Sequence, residues 1–192
     1  MTPRRSILFS PAMAKAVWDG KKTQTRRLAG NKLAASIAVG ETIWVREAFY
    51  LESQFDELPP RTIMALNFTQ MPVWHAADGE PSNQSAWGRP WGRRRQSIHM
   101  PRWACRMHIC ISGIICQRLH DITEADAKAE GAPMVRELGD SYIAGFREIW
   151  DAINKDKPGA RWLDNPDVIA LTFSVERTTQ QTTNGGYFET KR

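Results

Sequence analysis

Four stretches of the chain carry a clear hydrophobic rhythm, and they predict much of its regular structure. In 107–119, Met107, Ile109 and Ile111 alternate with His108, Cys110 and Ser112, the period-two pattern of a half-buried strand. Gly113 falls inside this run and predicts a bulge or bend. Ile169, Leu171, Phe173 and Val175 alternate with Ala170, Thr172 and Ser174, a second half-buried strand. Helical spacing replaces alternation over 141–153, where Ile143, Phe146, Ile149, Trp150 and Ile153 share one face. The same spacing marks 11–19: Ser10-Pro11 supply an N-cap and a first-turn proline, Met13, Ala16 and Val17 follow, and Gly20 stands at the stop.

Shorter signals fill in the rest. Ser6-Ile7-Leu8-Phe9 and Thr42-Ile43-Trp44-Val45 read as strands, rich in β-branched and aromatic residues. Thr123-Glu124-Ala125-Asp126 is a capping box closed by Asp, opening a helix that ends at Gly131. Residues 51–98 have no rhythm; Pro59-Pro60, Asp78-Gly79, Pro81, Gly88 and Pro90 punctuate them, with Trp74, Trp87 and Trp91 between. They read as an irregular insertion carrying one hairpin. Residues 177–192 are polar and read as a disordered tail. Mixed short strands and two or three helices, without a βαβ rhythm or internal repeat, predict an α+β fold built on a mostly antiparallel sheet, as in a small barrel decorated by helices. The expected organisation is one domain over 1–176, interrupted at 51–98.

Composition excludes several classes. With 192 residues, 42% of them apolar and eight of them Trp, wholesale disorder is out. No run approaches 18 apolar residues, so no transmembrane helix and no membrane partner is expected. The basic start Met1-Thr2-Pro3-Arg4-Arg5-Ser6 lacks the apolar stretch of a signal peptide. Three Cys make no disulfide framework and fit a reducing cytoplasm.

The net charge of +5 changes the picture once it is divided along the chain. Residues 1–50 carry +6 and residues 83–120 carry +7 with seven Arg and no acid, whereas 51–82 and 121–170 carry −4 and −5. Two basic blocks separated by acidic ones describe a folded protein with a positive surface, suited to a polyanion such as nucleic acid. Solvated charge without a partner is the plainer alternative.

The first basic block holds the densest chemistry, Gly20-Lys21-Lys22-Thr23-Gln24-Thr25-Arg26-Arg27. Cationic neighbours favour the neutral amine of Lys22, because like charges depress an ammonium pKa. A neutral lysine can act as base toward a Thr hydroxyl. The same residues could instead clamp phosphate, or form a solvated basic turn.

Together with Phe9-Ser10-Pro11, Gly40-Glu41-Thr42-Ile43-Trp44-Val45-Arg46-Glu47 and Ile122-Thr123-Glu124-Ala125-Asp126-Ala127-Lys128-Ala129-Glu130-Gly131, this run resembles the ASCH-domain family. The hallmark of that family is a G-[RK]-K-T-x-T-x-R run on a PUA-like β-barrel. The resemblance frames most of 6–176 and leaves 51–98 outside the minimal domain. Ser97-Ile98-His99-Met100-Pro101-Arg102-Trp103-Ala104 and Phe146-Arg147-Glu148-Ile149-Trp150 are similar to the longer form common in bacteriophages and prophages. That implies a bacterial host cytoplasm.

Family members include small amidohydrolases that remove the acyl group from N4-acetylcytidine, and others proposed to bind or cleave RNA. Carried onto this sequence, the resemblance implies that Thr25 attacks the amide carbonyl, Lys22 accepts its proton and Glu130 relays a proton to the leaving amine. Arg27 would face the developing oxyanion. The same resemblance admits a non-catalytic RNA- or DNA-binding module, and a metal-independent ribonuclease using Lys22. No cofactor or metal is implied. Without the resemblance, Glu130 reads as a solvated residue in the last turn of a helix, a poor place for an anion.

The second basic block, Arg89-Pro90-Trp91-Gly92-Arg93-Arg94-Arg95 through Arg102-Trp103, interleaves Arg with Trp. That suits RNA or single-stranded DNA, with guanidinium groups on phosphates and indoles on bases. The expected binding residues are Lys21, Arg26, Arg27, Arg93, Arg94, Arg95 and Arg102, with Trp103 and Met100 as core anchors. Glu47 could pair with an Arg of this block, and a structural salt bridge is the reading that suits it best. Cys105, His108, Cys110, Cys116 and His120 lack metal-ligand spacing, and the cysteines read as buried apolar residues. A monomer and a dimer are equally compatible with the sequence.

Overall fold

A computed structural model of the chain describes residues 5–63, 71–81 and 84–178. The tail expected at 177–192 lies almost wholly outside the described residues. Among those described, five strands form one sheet in the order β1-β3-β6-β7-β2. They are β1 (Ser6–Leu8), β2 (Gln24–Leu28), β3 (Thr42–Arg46), β6 (Met107–Arg118) and β7 (Asp167–Arg177). β1 runs parallel to β3, and β2 runs antiparallel to β7 with Thr25 opposite Leu171 and Arg26 opposite Ala170. A separate antiparallel pair joins β4 (Phe49–Tyr50) to β5 (Trp74–His75). The helices are α1 (Pro11–Trp18), α2 (Pro60–Ile63), α3 (Glu124–Ala129) and α4 (Tyr142–Asn154).

The α+β class with a mostly antiparallel sheet and short helices is what the chain adopts. The sheet does not close into a barrel among the described residues: β1 and β2 stand at its two ends with no ladder joining them.

The chain groups into two compact units. One comprises Ala16–Ile43 and His108–Glu176, the other Ser6–Lys15 and Trp44–Met107. In the first, Leu119, Ile122, Ala127, Phe146, Trp150 and Val168 form an apolar cluster beneath α3 and α4. Ile153, expected on that face, is exposed, because it falls near the end of α4 beyond the cluster. In the second, Phe49, Leu51, Phe55, Ile63, Met100 and Ala104 pack together, with Trp103 against them. The described residues of 51–98 thus supply Leu51, Phe55 and Ile63 to this core.

Local signals are met in detail. Ser10 Oγ accepts from Met13 N at 3.4 Å, and Gly20 ends α1 with φ of 74°. Both halves of the capping box form: Asp126 N donates to Thr123 Oγ1 at 3.1 Å, and Thr123 N donates back to Asp126 Oδ2 at 3.2 Å. Strand β6 runs on through Gly113, where a Cβ would lie 3.6 Å from Thr172 Cβ, an ordinary contact distance. One expectation changes. The cysteines are not uniformly buried: Cys105 is buried, Cys110 half-buried and Cys116 exposed, all three free.

Candidate functional site

The site forms in the first unit where the end of α1, strand β2 and the end of α3 meet. Gly20, with its positive φ, lets Lys21 N and Lys22 N both donate to Ala16 O, at 2.8 and 2.9 Å. Thr23 N then donates to Ala129 O at 2.8 Å, and Phe173 N donates to Thr23 O at 2.9 Å. The basic run is therefore stitched to α3 before it enters the sheet as β2.

Lys22 turns inward and is 2% exposed. Its Nζ donates to Glu130 Oε2 at 2.6 Å and to Glu130 O at 2.7 Å, across 108 positions of sequence. One ammonium thus pairs the carboxylate and also takes the carbonyl of Glu130, the C-cap of α3. Gly131, at φ of 78°, makes room: a Cβ there would come 3.3 Å from Lys22 Cβ and 3.1 Å from Ala16 Cβ. Burial pulls the Lys22 amine below its ordinary pKa; Glu130 opposes this, and the charges of Arg27 and Arg26 add to it. The sequence reading gave that lowering to cationic neighbours, whereas burial is the larger cause.

Thr25 is buried on the strand face opposite Gln24 and Arg26. Its Oγ1 accepts from Arg27 Nη1 at 2.6 Å. Burial lowers the Arg27 pKa, and the charge of Glu130 raises it. Arg27 links the hydroxyl electrostatically to the Lys22–Glu130 pair. Arg26, expected among the substrate contacts, is instead directed inward: Nη1 donates to Gln24 Oε1 at 2.6 Å and to Glu130 Oε1 at 3.2 Å, and Nη2 pairs with Asp126 Oδ2 at 3.3 Å. Burial works against the Asp126 carboxylate, but bonds from Thr123 and Gln24, with the Arg26 charge, hold it below the usual range. Lys21 is exposed. Lys22, Arg26 and Glu130 therefore meet in direct contact, with Asp126 and Gln24 joining them unforeseen, while Thr25 bonds Arg27, which reaches Glu130 through charge alone; Asp126 was legible as a capping residue alone.

The second basic block lies in the other unit. Arg93, Arg94 and Arg102 are exposed, and Arg95 is buried. The Arg95 guanidinium donates to Phe55 O at 2.5 Å and Leu58 O at 3.2 Å, holding a loop rather than facing solvent. Glu47 forms a buried structural salt bridge, with Arg106 rather than with an Arg of 89–103. It binds Arg106, Oε1 to Nε at 2.8 Å and Oε2 to Nη2 at 2.9 Å, and Asp78 Oδ2 takes Arg106 Nη1 at 2.5 Å. Burial lowers the Arg106 pKa, but these two carboxylates raise it on balance. His75 lies buried nearby in charge terms, donating from Nε2 to Ala104 O at 3.0 Å with Nδ1 unpartnered. Glu47 directly follows the Trp44 strand, and nothing local marks Arg106 as its partner.

No family model matches the chain, and no curated protein matches it. Among solved structures it is similar to a crystal structure of protein EF3133 from Enterococcus faecalis V583, of the family model DUF984. That similarity covers 98% of this chain and 88% of the other, with 9% identity and a TM-score of 0.48. No helix among the described residues is long and apolar enough to cross a membrane.

Proposed function

We propose that this chain is an amide hydrolase acting on an acylated nucleobase or nucleoside, with N4-acylated cytosine as the substrate type that its ASCH-type motif implies. The observation that carries the reading is the buried Lys22–Glu130 contact at 2.6 Å; the Arg27 guanidinium holds the hydroxyl of Thr25, three positions along from Lys22, at 2.6 Å. A buried lysine surrenders its proton more easily than an exposed one, which suits it to act as a base.

In this reading Thr25 Oγ1 attacks the amide carbonyl and its proton passes to the neutral Lys22 amine. Arg27, already on Thr25 Oγ1, stabilises the negative charge that develops on the carbonyl oxygen. The C–N bond then breaks, and the proton held by Lys22 reaches the departing exocyclic nitrogen through Glu130. Water then attacks the Thr25 ester, Lys22 takes its proton and returns it to the departing Thr25 Oγ1, and the acid leaves as a carboxylate and a proton. The chain's three free cysteines fit a reducing cytoplasm as its working compartment, a bacterial host's if the chain is phage-encoded.

The test is conversion of N4-acetylcytidine to cytidine by the purified chain, followed by chromatography. Turnover is expected, with its loss in Lys22→Met and in Thr25→Val while circular dichroism stays native. Absence of turnover across a panel of acylated nucleosides overturns the reading. A second reading, binding of RNA or single-stranded DNA without catalysis, draws on the exposed Arg93, Arg94 and Arg102.

A further inference from the structure

Arg26 stands at one of the two positions that the G-[RK]-K-T-x-T-x-R pattern leaves open, yet it is only 3% exposed. Four groups surround its guanidinium: Gln24 Oε1, Glu130 Oε1, Asp126 Oδ2 and, 5.9 Å away, the Phe146 ring. Its Nε has no hydrogen-bond partner, so the two Nη ends alone fix the fork. The two oxygens of Glu130 are thereby divided, Oε1 to Arg26 and Oε2 to Lys22.

A free glutamate carboxylate turns easily about its last bond, because that torsion is broad and roughly two-fold. Proton transfer needs a fixed approach within hydrogen-bond reach. We propose that Arg26 is the positioning residue of this site, clamping one oxygen of Glu130 so that the other stays aimed at Lys22, with Gln24 and Asp126 holding the clamp. The inference rests on the hydrolase reading only for its kinetic readout. Lys22 is faced by Glu130, the C-cap of α3, and by Arg26 and Arg27 from β2, and the Arg26 charge also disfavours the protonated amine.

Two substitutions separate clamp from charge. Arg26→Gln removes both, and Arg26→Lys keeps the charge without the fork. In N4-acetylcytidine hydrolysis, Arg26→Gln is expected to lower kcat by about 10- to 100-fold, the size of effect that a misplaced group produces, with KM little changed. Losing a like charge raises the Lys22 pKa, so the acid limb of the rate profile moves to higher pH. In Arg26→Lys, kcat falls while that limb stays in place. Side-chain NMR titration of Lys22 in the full-length chain reads the same shift without any substrate. Wild-type kcat together with an unmoved Lys22 titration in Arg26→Gln overturns the proposal. If the unaltered chain hydrolyses no acylated nucleoside, the hydrolase reading fails separately, and the titration alone decides the role of Arg26. Should neither Arg26 variant fold, Gln24→Ala removes the 2.6 Å acceptor without changing charge. It is expected to lower kcat and to speed solvent exchange of the Lys22 ammonium protons; wild-type values of both overturn the clamp.

Discussion

Arg106 is the centre of the most demanding electrostatic arrangement in the second unit, and its two carboxylates should contribute very unequally. Its side chain is 5% exposed and that of Glu47 1%, whereas the side chain of Asp78 is 35% exposed. Removing one member of a buried pair strands the other charge and costs about 3–5 kcal/mol. Glu47→Leu should fall at the lower end of that range, because Asp78 still faces Arg106. Asp78→Asn loses a pair that water already screens, worth about 1 kcal/mol or less. Replacing the whole buried pair, Glu47→Leu with Arg106→Met, removes the stranded charge. That double variant should be far less destabilised than the sum of the single ones, with a coupling of about 2 kcal/mol or more. Urea denaturation of the four proteins closes the cycle, read from midpoint and slope. Additive single effects, or Asp78→Asn costing as much as Glu47→Leu, would refute the reasoning.

Gly145→Ala in α4 should destabilise by about 1–3 kcal/mol, although Ala ordinarily favours a helix. The added Cβ would lie 2.1 Å from Pro133 O, so a urea melt showing stabilisation would mean that the segment after α3 yields freely. Burial holds the His75 pKa below its ordinary 6.5, and Arg106 adds to this against Glu47 and Asp78. The unfolded chain therefore binds the proton first as pH falls below 6.5, and stability drops through that window by up to about 1.4 kcal/mol per pH unit. In His75→Gln that slope should flatten; an unchanged slope assigns the acid sensitivity elsewhere. Arg95→Ala should cost about 1–3 kcal/mol by taking the guanidinium from the Leu58 carbonyl and from the Phe55 carbonyl, the latter keeping Leu58 N at 3.0 Å. Arg94→Ala, on the surface, should stay within about 0.5 kcal/mol in the same melt.

How much of this was legible depends on whether the cause was local. The caps of α1 and α3, the face of α4 and the alternation in β6 and β7 are set by neighbours within a few residues. Strand β2 is different. Gln-Thr-Arg-Arg-Leu has no apolar alternation, and it becomes a strand because Ala170 and Leu171 of β7 offer it a ladder. Its polar side chains find partners on α3 in place of an apolar face. Residues 51–98 hide a core for a related reason: Phe55 and Ile63 arrive on short turns that have no period to detect. At the site, Lys22, Thr25 and Glu130 could be gathered from sequence only through a resemblance. The contact between Lys22 and Glu130 spans 108 positions, and no spacing rule reaches so far.

Charge counting shows the same limit and yields a quantitative consequence. The block 83–120 holds seven Arg and no acid. Arg95 and Arg106 are buried against internal acceptors. Arg89, Arg93, Arg94, Arg102 and Arg118 remain exposed, Arg118 in a surface pair 3.4 Å from Asp167. Each single-strand phosphate neutralised contributes about 0.7 to the slope of log affinity against log salt. If this segment alone binds RNA, the slope can be no steeper than about −3.5, not the roughly −5 that seven charges imply. Fluorescence anisotropy of a labelled single strand over a salt series measures it directly. Changing Arg89, Arg93, Arg94, Arg102 and Arg118 to Ala should bring the slope near zero. A slope that survives those changes would place the polyanion contact outside this segment, and the interleaved Arg and Trp would then be packing and loop support alone.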